Sequence, residues 1–392
     1  MQSELANEIT AGGEAFVETV SQRPELLVVA AAAVLFAIGI WWYLRPTVGD
    51  RFVDSIADRD RIAVLMHPNP DPDAMASAMA VGALARTVDT EAILQYPGQI
   101  RHPENRAFET VLDCEFDRIE GIDDVASEAV VLVDHNEPRG FPGASDIEPH
   151  AIVDHHPGNG EAKVFTDIRP DRGSCASIFA DYVRERGWSN DTDTDDRSLT
   201  PTLATALLYG IQSDTTSFTR SCTHAEFDAA AYLFPAADPD YLDRIANPQV
   251  DSETLEVKAQ AITARDVEGS FLVSYVGTLS NLDALPIAAE ELVRLEGITA
   301  AVIVGERDGT LHVSGRSRDD RVHIGKAIST ALDVLPGASA GGHARMGGGQ
   351  VALSESVVEG DGGSVMLSDS TADRERFRQL RERFFDAMNG KL

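Results

Sequence analysis

Short apolar runs, each closed by acids, histidines or turn residues, recur through the middle of the chain. Arg61-Ile62-Ala63-Val64-Leu65-Met66, Ala92-Ile93-Leu94-Gln95-Tyr96, Ala129-Val130-Val131-Leu132-Val133 and Ala151-Ile152-Val153 read as strands. They show almost no polar alternation, so they read as strands buried on both faces, the mark of a parallel sheet. Helical patterns lie between and after them, an Ala-rich one over 73–88 and others over 174–186 and 201–212. Strands alternating with helices predict an α/β domain over 55–235, with a polar, Asp-rich surface loop at 190–198.

Helical segments over 236–268 lead to a second, smaller α/β domain over 269–392. Its strand patterns begin at Phe271, Ala300 and Thr310, and a helix is expected over 323–335. A Gly-rich loop follows over 341–349, and a charged helix over 371–389 ends the chain. No internal repeat is visible.

At the other end, residues 26–44 are apolar without interruption and finish in Trp41-Trp42-Tyr43, then Arg45-Pro46. A helix over that run reaches about 28 Å, close to the hydrocarbon thickness of a bilayer. The aromatic trio stands where an interfacial belt would be. The tail before it, 1–25, is acidic where a signal peptide would be basic, and no small-residue cleavage site follows. The expectation is therefore one uncleaved transmembrane helix ahead of the two domains. Arg45 and Arg51 after the span, against Arg23 before it, favour a catalytic body on the cytoplasmic side.

The net charge of −31 adds a setting. Lysine is scarce, only Lys163, Lys258, Lys326 and Lys391, and the other basic residues are arginine. An acidic, lysine-poor surface suits a protein solvated in high salt, where self-repulsion is screened. The cysteines, Cys114, Cys175 and Cys222, are far apart and form no C-x-x-C pair. That argues against a disulfide framework or a zinc site, and for a reducing compartment.

Chemistry concentrates just past the strands, at His67-Pro68-Asn69-Pro70-Asp71-Pro72-Asp73, Asp134-His135-Asn136, Asp154-His155-His156 and Asp214-Thr215-Thr216. In a parallel sheet those positions fall along one edge, where ligands bind. Carboxylates gathered so closely repel unless something positive lies between them, and two divalent metals would serve. Taken singly, Asp73 reads equally as a helix cap, Asp71 as a turn residue and His67 as a structural histidine. Oxygen and imidazole donors together suit Mn²⁺ and similar ions better than a thiolate-seeking metal.

In type and order the clusters resemble the four motifs of the DHH phosphoesterase superfamily. Gly315-Arg316-Ser317 and Gly341-Gly342-His343 resemble its associated C-terminal domain, so the likeness runs from about residue 61 to 349. It implies one metal held by His67, Asp71 and Asp134, and a second held by Asp73, Asp134, His155 and Asp214, with Asp134 bridging. His156 would face the substrate phosphate, Asp154 would orient the histidine pair, and His135 receives no role. Arg316, Ser317, Arg318, Gly341, Gly342 and His343 would contact substrate, and Mn²⁺ is the metal such proteins generally prefer. The implied activity is two-metal hydrolysis of short oligonucleotides, pApA or cyclic di-AMP to 5′-mononucleotides. The alternatives are a 3′-phosphoadenosine phosphate phosphatase or a non-catalytic nucleotide sensor, with inorganic pyrophosphatase below them. The membrane and a second copy of the chain are the other expected partners.

Overall fold

The computed structural model describes residues 45–190, 197–352 and 370–392, with 32 and 34–36; over 370–376 it describes the backbone alone. The acidic tail 1–25, nearly all of the apolar run 26–44 and most of the 190–198 loop lie outside the described residues. Among the described residues no helix is long and apolar enough to cross a membrane. The chain divides into two units after Ala246, with Arg101–Arg106 grouped with the second.

The first unit is built on a six-stranded parallel sheet. Its strands are β1 (Arg61–Leu65), β2 (Glu91–Pro97), β3 (Asp117–Ile119), β4 (Val130–Val133), β5 (Ala151–Asp154) and β6 (Phe165–Ile168). The order is β3-β2-β1-β4-β5-β6, so the progression reverses between β1 and β4. Loops leaving those two strands diverge and open a crevice at their carboxyl ends.

Around the sheet lie α1 (Val48–Ile56), α2 (Pro72–Arg86), α3 (Pro103–Val111), α4 (Cys175–Glu185), α5 (Pro201–Asp214), α6 (His224–Leu233) and α7 (Pro239–Ala246). Alternate strand residues serve opposite faces. Ile62, Val64, Val131 and Val133 join one core with apolar residues of α1, α2, α4 and α5. Ala63, Leu65, Val130 and Leu132 join another, closed by Val125, Phe141 and Ile147 from connecting segments. Both faces are covered, as all-apolar strands require, but the second cover is loop.

Helix α1 was not anticipated, and the expected domain start at 55 falls near its end. Thr47 and Asp50 form a capping box at its start, and Phe52 is fully buried beside Phe165, Phe179 and Tyr182. Gly210 brings α5 hard against its neighbours: a Cβ there would lie 3.2 Å from Ala76 Cβ and from the Pro72 carbonyl oxygen on α2. That close crossing brings the ends of α2 and α5 that carry Asp73 and Asp214 to one place.

The second unit comprises α8 (Ser252–Thr263), β7 (Arg265–Glu268), β8 (Phe271–Thr278), α9 (Ala284–Leu292), β9 (Ala300–Arg307), β10 (Thr310–Ser317), α10 (Ile324–Leu332), β11 (Ser339–Gly342), β12 (Met346–Ala352) and α11 (Ser370–Met388). Its sheet order is β11-β12-β10-β9-β8-β7; β8 and β9 are parallel and the remaining pairs antiparallel. Helices α10 and α11 cover one face, α8 and α9 the other. The stretch 236–268 is not a free-standing linker: Ile245 packs in the first unit's core, Val257 and Ala261 in the second's. The Gly-rich stretch expected as a loop is instead the hairpin β11–β12, pairing Gly341 with Gly348 and Gly342 with Gly347. Side chains are missing there because α10 lies on the hairpin backbone: a Cβ on Gly347 would sit 2.7 Å from Gly325 Cα.

Candidate metal centre

Past β1 the proline-flanked stretch is not extended throughout: the chain bends at Asn69, left-handed at φ 56°, before Asp71 caps α2. Asp71 Oδ1 accepts from the backbone N–H of Asp73 and of Ala74, at 3.1 Å each. Its Oδ2 remains, 3.5 Å from His67 Nε2. The cap is therefore Asp71 rather than Asp73, and one carboxylate both starts the helix and faces the site.

Asp73, on the first turn of α2, is fully buried. It accepts from the first N–H groups of α4, Cys175 N at 2.6 Å and Ala176 N at 2.7 Å. That helix end favours the anion. Burial, and then Asp134 and Asp214 close by, push its pKa well above the usual carboxylate range.

Asp134 follows β4 with φ 61°, a left-handed conformation that costs a non-glycine residue energy and recurs at functional sites. The carboxylate is 1% exposed. Its Oδ2 lies 3.3 Å from His67 Nε2, and its Oδ1 lies 3.2 Å from His155 Nε2 and 3.6 Å from His156 Nδ1. Burial works to raise its pKa, but His155 and His67 hold it below the usual range.

Both principal histidines are oriented through Nδ1. That of His67 faces the Pro68 carbonyl oxygen at 3.1 Å, and that of His155 the Arg172 carbonyl oxygen at 3.2 Å. Each Nε2 is thereby turned into the site, an arrangement typical of metal-binding imidazoles. His155 Nε2 stands 3.2 Å from Asp214 Oδ2, at the end of α5, and 3.8 Å from Asp73 Oδ2. Burial disfavours the charged form of both rings. The carboxylates beside them nevertheless hold each pKa up to about 11.

Asp154 is the hub of the next layer. Its Oδ1 accepts from the backbone N–H of His155 and His156 and from His156 Nδ1 at 2.9 Å, and its Oδ2 accepts from Asn136 Nδ2 at 2.6 Å. His156 is half exposed, with Nδ1 engaged. His135 is buried, its Nδ1 against the Val133 carbonyl oxygen at 2.9 Å, and burial lowers its pKa to about 4.

All six expected ligands are thus in one place. His67, Asp71 and Asp134 form one set, and Asp73, His155 and Asp214 another, the ligand atoms of each within 4.8 Å of one another. Asp134 joins the second set across its 3.2 Å contact with His155. The residues fit a pair of divalent cations. Asp134 Oδ1 and His155 Nε2 are buried without a hydrogen-bond partner, and four carboxylates meet in a space that raises the pKa of two of them. The donors are oxygen and imidazole, with no thiolate among them.

The substrate-side candidates cluster in the second unit. Arg316 Nε pairs with Glu290 Oε1 at 3.0 Å, and Nη1 donates to the Gly315 carbonyl oxygen. Ser317 is buried, its hydroxyl bonded to the Asp319 carbonyl oxygen. Arg318 is exposed and lines a surface cavity of about 450 Å³ with Thr299 and Arg345. Gly341 and Gly342 end β11, and His343 opens the hairpin turn, its N–H donated to the Met346 carbonyl oxygen at 2.7 Å. Asn136, beside the Asp134-His135 pair, is a site residue to which the motif gives no role, and it holds Asp154. The orienting groups of Pro68, Arg172, Cys175 and Ala176 are backbone atoms, which no residue type announces.

Residues 61–211 match the DHH family, N-terminal domain, and residues 268–359 match the DHHA1 domain. An uncharacterised protein of Methanocaldococcus jannaschii is 33% identical over 333 residues, covering 84% of this chain and 63% of its own length. A cyclic-di-AMP phosphodiesterase of Geobacillus thermodenitrificans is 31% identical over 192 residues, 48% of this chain and 25% of the other. The chain spans less than two thirds of either relative. Among solved structures, an exopolyphosphatase-related protein from Bacteroides fragilis superposes with a TM-score of 0.56 over 87% of this chain and 97% of that one. At 14% identity this is a likeness of fold.

Proposed function

Because the chain belongs to the DHH phosphoesterase superfamily, we propose that it is a two-metal, Mn²⁺-dependent phosphodiesterase acting on cyclic di-AMP, pApA or short oligonucleotides and releasing 5′-mononucleotides. The observation that carries this reading is the convergence of His67, Asp71, Asp73, His155 and Asp214 on the buried, unsatisfied carboxylate of Asp134. The relative named as a cyclic-di-AMP phosphodiesterase supports the substrate class.

Two bound cations supply an activated water and neutralise charge on the phosphoryl group being transferred. Everything else falls to the chain itself. His67 and His155 offer Nε2 because Pro68 and Arg172 hold the opposite nitrogens. His156 has its Nδ1–H held by Asp154, which raises its pKa and favours the imidazolium; in that form Nε2–H is left to donate to a phosphate oxygen. Arg318 would take a further phosphate oxygen. Arg316 has Nε on Glu290 and Nη1 on the Gly315 carbonyl oxygen, so it braces β10 and would offer a phosphate only its remaining N–H groups.

Residues 26–44 would anchor the protein in the membrane with both domains in the cytoplasm, and the charge of −31 would suit molar salt. Reporter fusions at each terminus decide the orientation, and an external C-terminus contradicts it. The substrate test compares rates on cyclic di-AMP, pApA, 3′-phosphoadenosine phosphate and a short RNA, with Mn²⁺ in molar KCl. Hydrolysis of the first two is expected. Metal-loaded protein that cleaves no phosphodiester would overturn the assignment.

A further inference from the structure

The start of α4 supports two of the proposed ligands with backbone atoms alone. The Arg172 carbonyl oxygen orients His155, and the N–H groups of Cys175 and Ala176 hold Asp73. Whatever fixes residues 172–177 therefore fixes both side chains.

Glu226 bonds to that segment at two points, beside the Arg172–Asp181 pair and the Ser174 cap of α4. It lies on α6, outside every motif of acids and histidines, and is fully buried. Its Oε1 accepts from Gly173 N at 2.9 Å and from Ser177 Oγ at 3.0 Å. Its Oε2 accepts from Thr223 N and Thr223 Oγ1, at 2.7 Å each, closing a capping box on α6. Burial alone would raise its pKa, but these donors hold it below the usual range.

The same helix is tied to the third ligand. Between Asp214 and α6 the chain turns through Thr216, Ser217 and Phe218 at φ 49°, 53° and 62°, all left-handed and none glycine. Thr215, fully buried, braces the turn: its Oγ1 accepts from Phe218 N, and its carbonyl oxygen accepts from Thr219 N and Arg220 N. Such a run is disfavoured for residues other than glycine and persists only where its surroundings hold it. Phe218 stacks on Phe227 of α6 at 5.3 Å.

We infer that Glu226 is a positioning residue for one metal site and not the other: it sets the geometry of Asp73, His155 and Asp214 by clamping α4 to α6. Among the described residues, no hydrogen bond of Glu226 goes to β1, to β4 or to the 66–71 stretch that carries His67 and Asp71. The inference rests on the two-metal reading above. A plain helix cap would show the same capping box, so the two roles separate only on metal binding.

The test uses the full chain and Mn²⁺ alone, with calorimetric titration and the electron paramagnetic resonance signature of coupled Mn²⁺ pairs. In Glu226→Ala one of the two ions should bind roughly 10–100-fold more weakly. The other should keep wild-type affinity, and the coupled signal should vanish at two equivalents. Glu226→Gln keeps one oxygen for Gly173 and Ser177 and should restore most of the binding. Thr223→Val removes only the cap hydroxyl and should lower the melting temperature while leaving both affinities intact. Ser177→Ala supplies a milder break should Glu226→Ala fail to fold, and it should weaken the same single ion. Wild-type affinity at both sites in Glu226→Ala, or in Ser177→Ala where only that variant folds, overturns the inference; so does weakening of both sites in step with Thr223→Val. A wild type binding fewer than two ions overturns the two-metal reading itself, and the inference with it.

Discussion

Replacing Asp134 with asparagine removes a negative charge and changes little else. Asparagine adopts the left-handed backbone of this position as readily as aspartate, whereas alanine would add about 1–2 kcal/mol of steric cost. In the wild type Oδ2 serves the His67 side at 3.3 Å and Oδ1 the His155 side at 3.2 Å, so both sites lose an anionic donor at once. Filling one site at about a hundred times its Kd stabilises the fold by about 2.7 kcal/mol, and two sites by roughly 5 kcal/mol. At about 2–4 °C per kcal/mol for a domain of this size, Mn²⁺ should raise the wild-type Tm by roughly 10–20 °C. The asparagine variant should fold and show a shift below about 3 °C. Its turnover should fall by at least about a thousandfold, equivalent to ~4 kcal/mol of lost transition-state stabilisation. Thermal melting with and without Mn²⁺, paired with a phosphodiester assay, measures both effects. A variant that keeps the Mn²⁺-induced shift, or turns over within about tenfold of wild type, refutes the placing of Asp134 in both sites.

Phe52→Ala empties a fully buried site among Phe165, Phe179 and Tyr182. It should cost about 3–5 kcal/mol in denaturant unfolding, and a loss below about 1 kcal/mol would mean that α1 is not part of the domain. Burial pushes the Cys114 thiol up to about 12 and the Cys175 thiol well above its ordinary value. Native protein at pH 8 should therefore leave both unalkylated by iodoacetamide, with Cys222 the first to react; mass spectrometry finding early label on Cys175 would contradict the burial of the start of α4. Glu226 has a depressed pKa, so its stabilisation is present above the ordinary value of 4.5 and is lost as pH falls through the lower folded value. The stability gap between wild type and Glu226→Gln should hold steady from neutrality down to about pH 4.5, shrink from there to the folded value, and be lost below it; a gap that widens in acid would reverse the sign of the argument.

Much of the site was legible because its chemistry and its periodicity coincide. The apolar runs at Ile62, Val130 and Ala151 are buried strands, and the acids and histidines that follow them meet because parallel strands end on one edge. Asp71 and Asp73 could not be told apart as caps, since both are aspartates flanked by proline and only the backbone decides. Strands β3, β6 and β7 were missed for want of pattern: Asp117–Ile119, Phe165–Ile168 and Arg265–Glu268 are short and largely polar. The β11–β12 hairpin hid behind its glycines, which usually signal loops and here make room for α10. The hold of Glu290 on Arg316 joins residues far apart in the chain, and no local pattern announces it.

The central claim is a pair of cations bridged by one carboxylate. Crystals of the protein soaked in Mn²⁺ and measured at the manganese absorption edge test it most directly. The account predicts two anomalous peaks about 3.5–4 Å apart, the separation of two-metal sites, with Asp134 touching both, His67 on one and His155 on the other. A single peak, or two peaks without Asp134 between them, would contradict it.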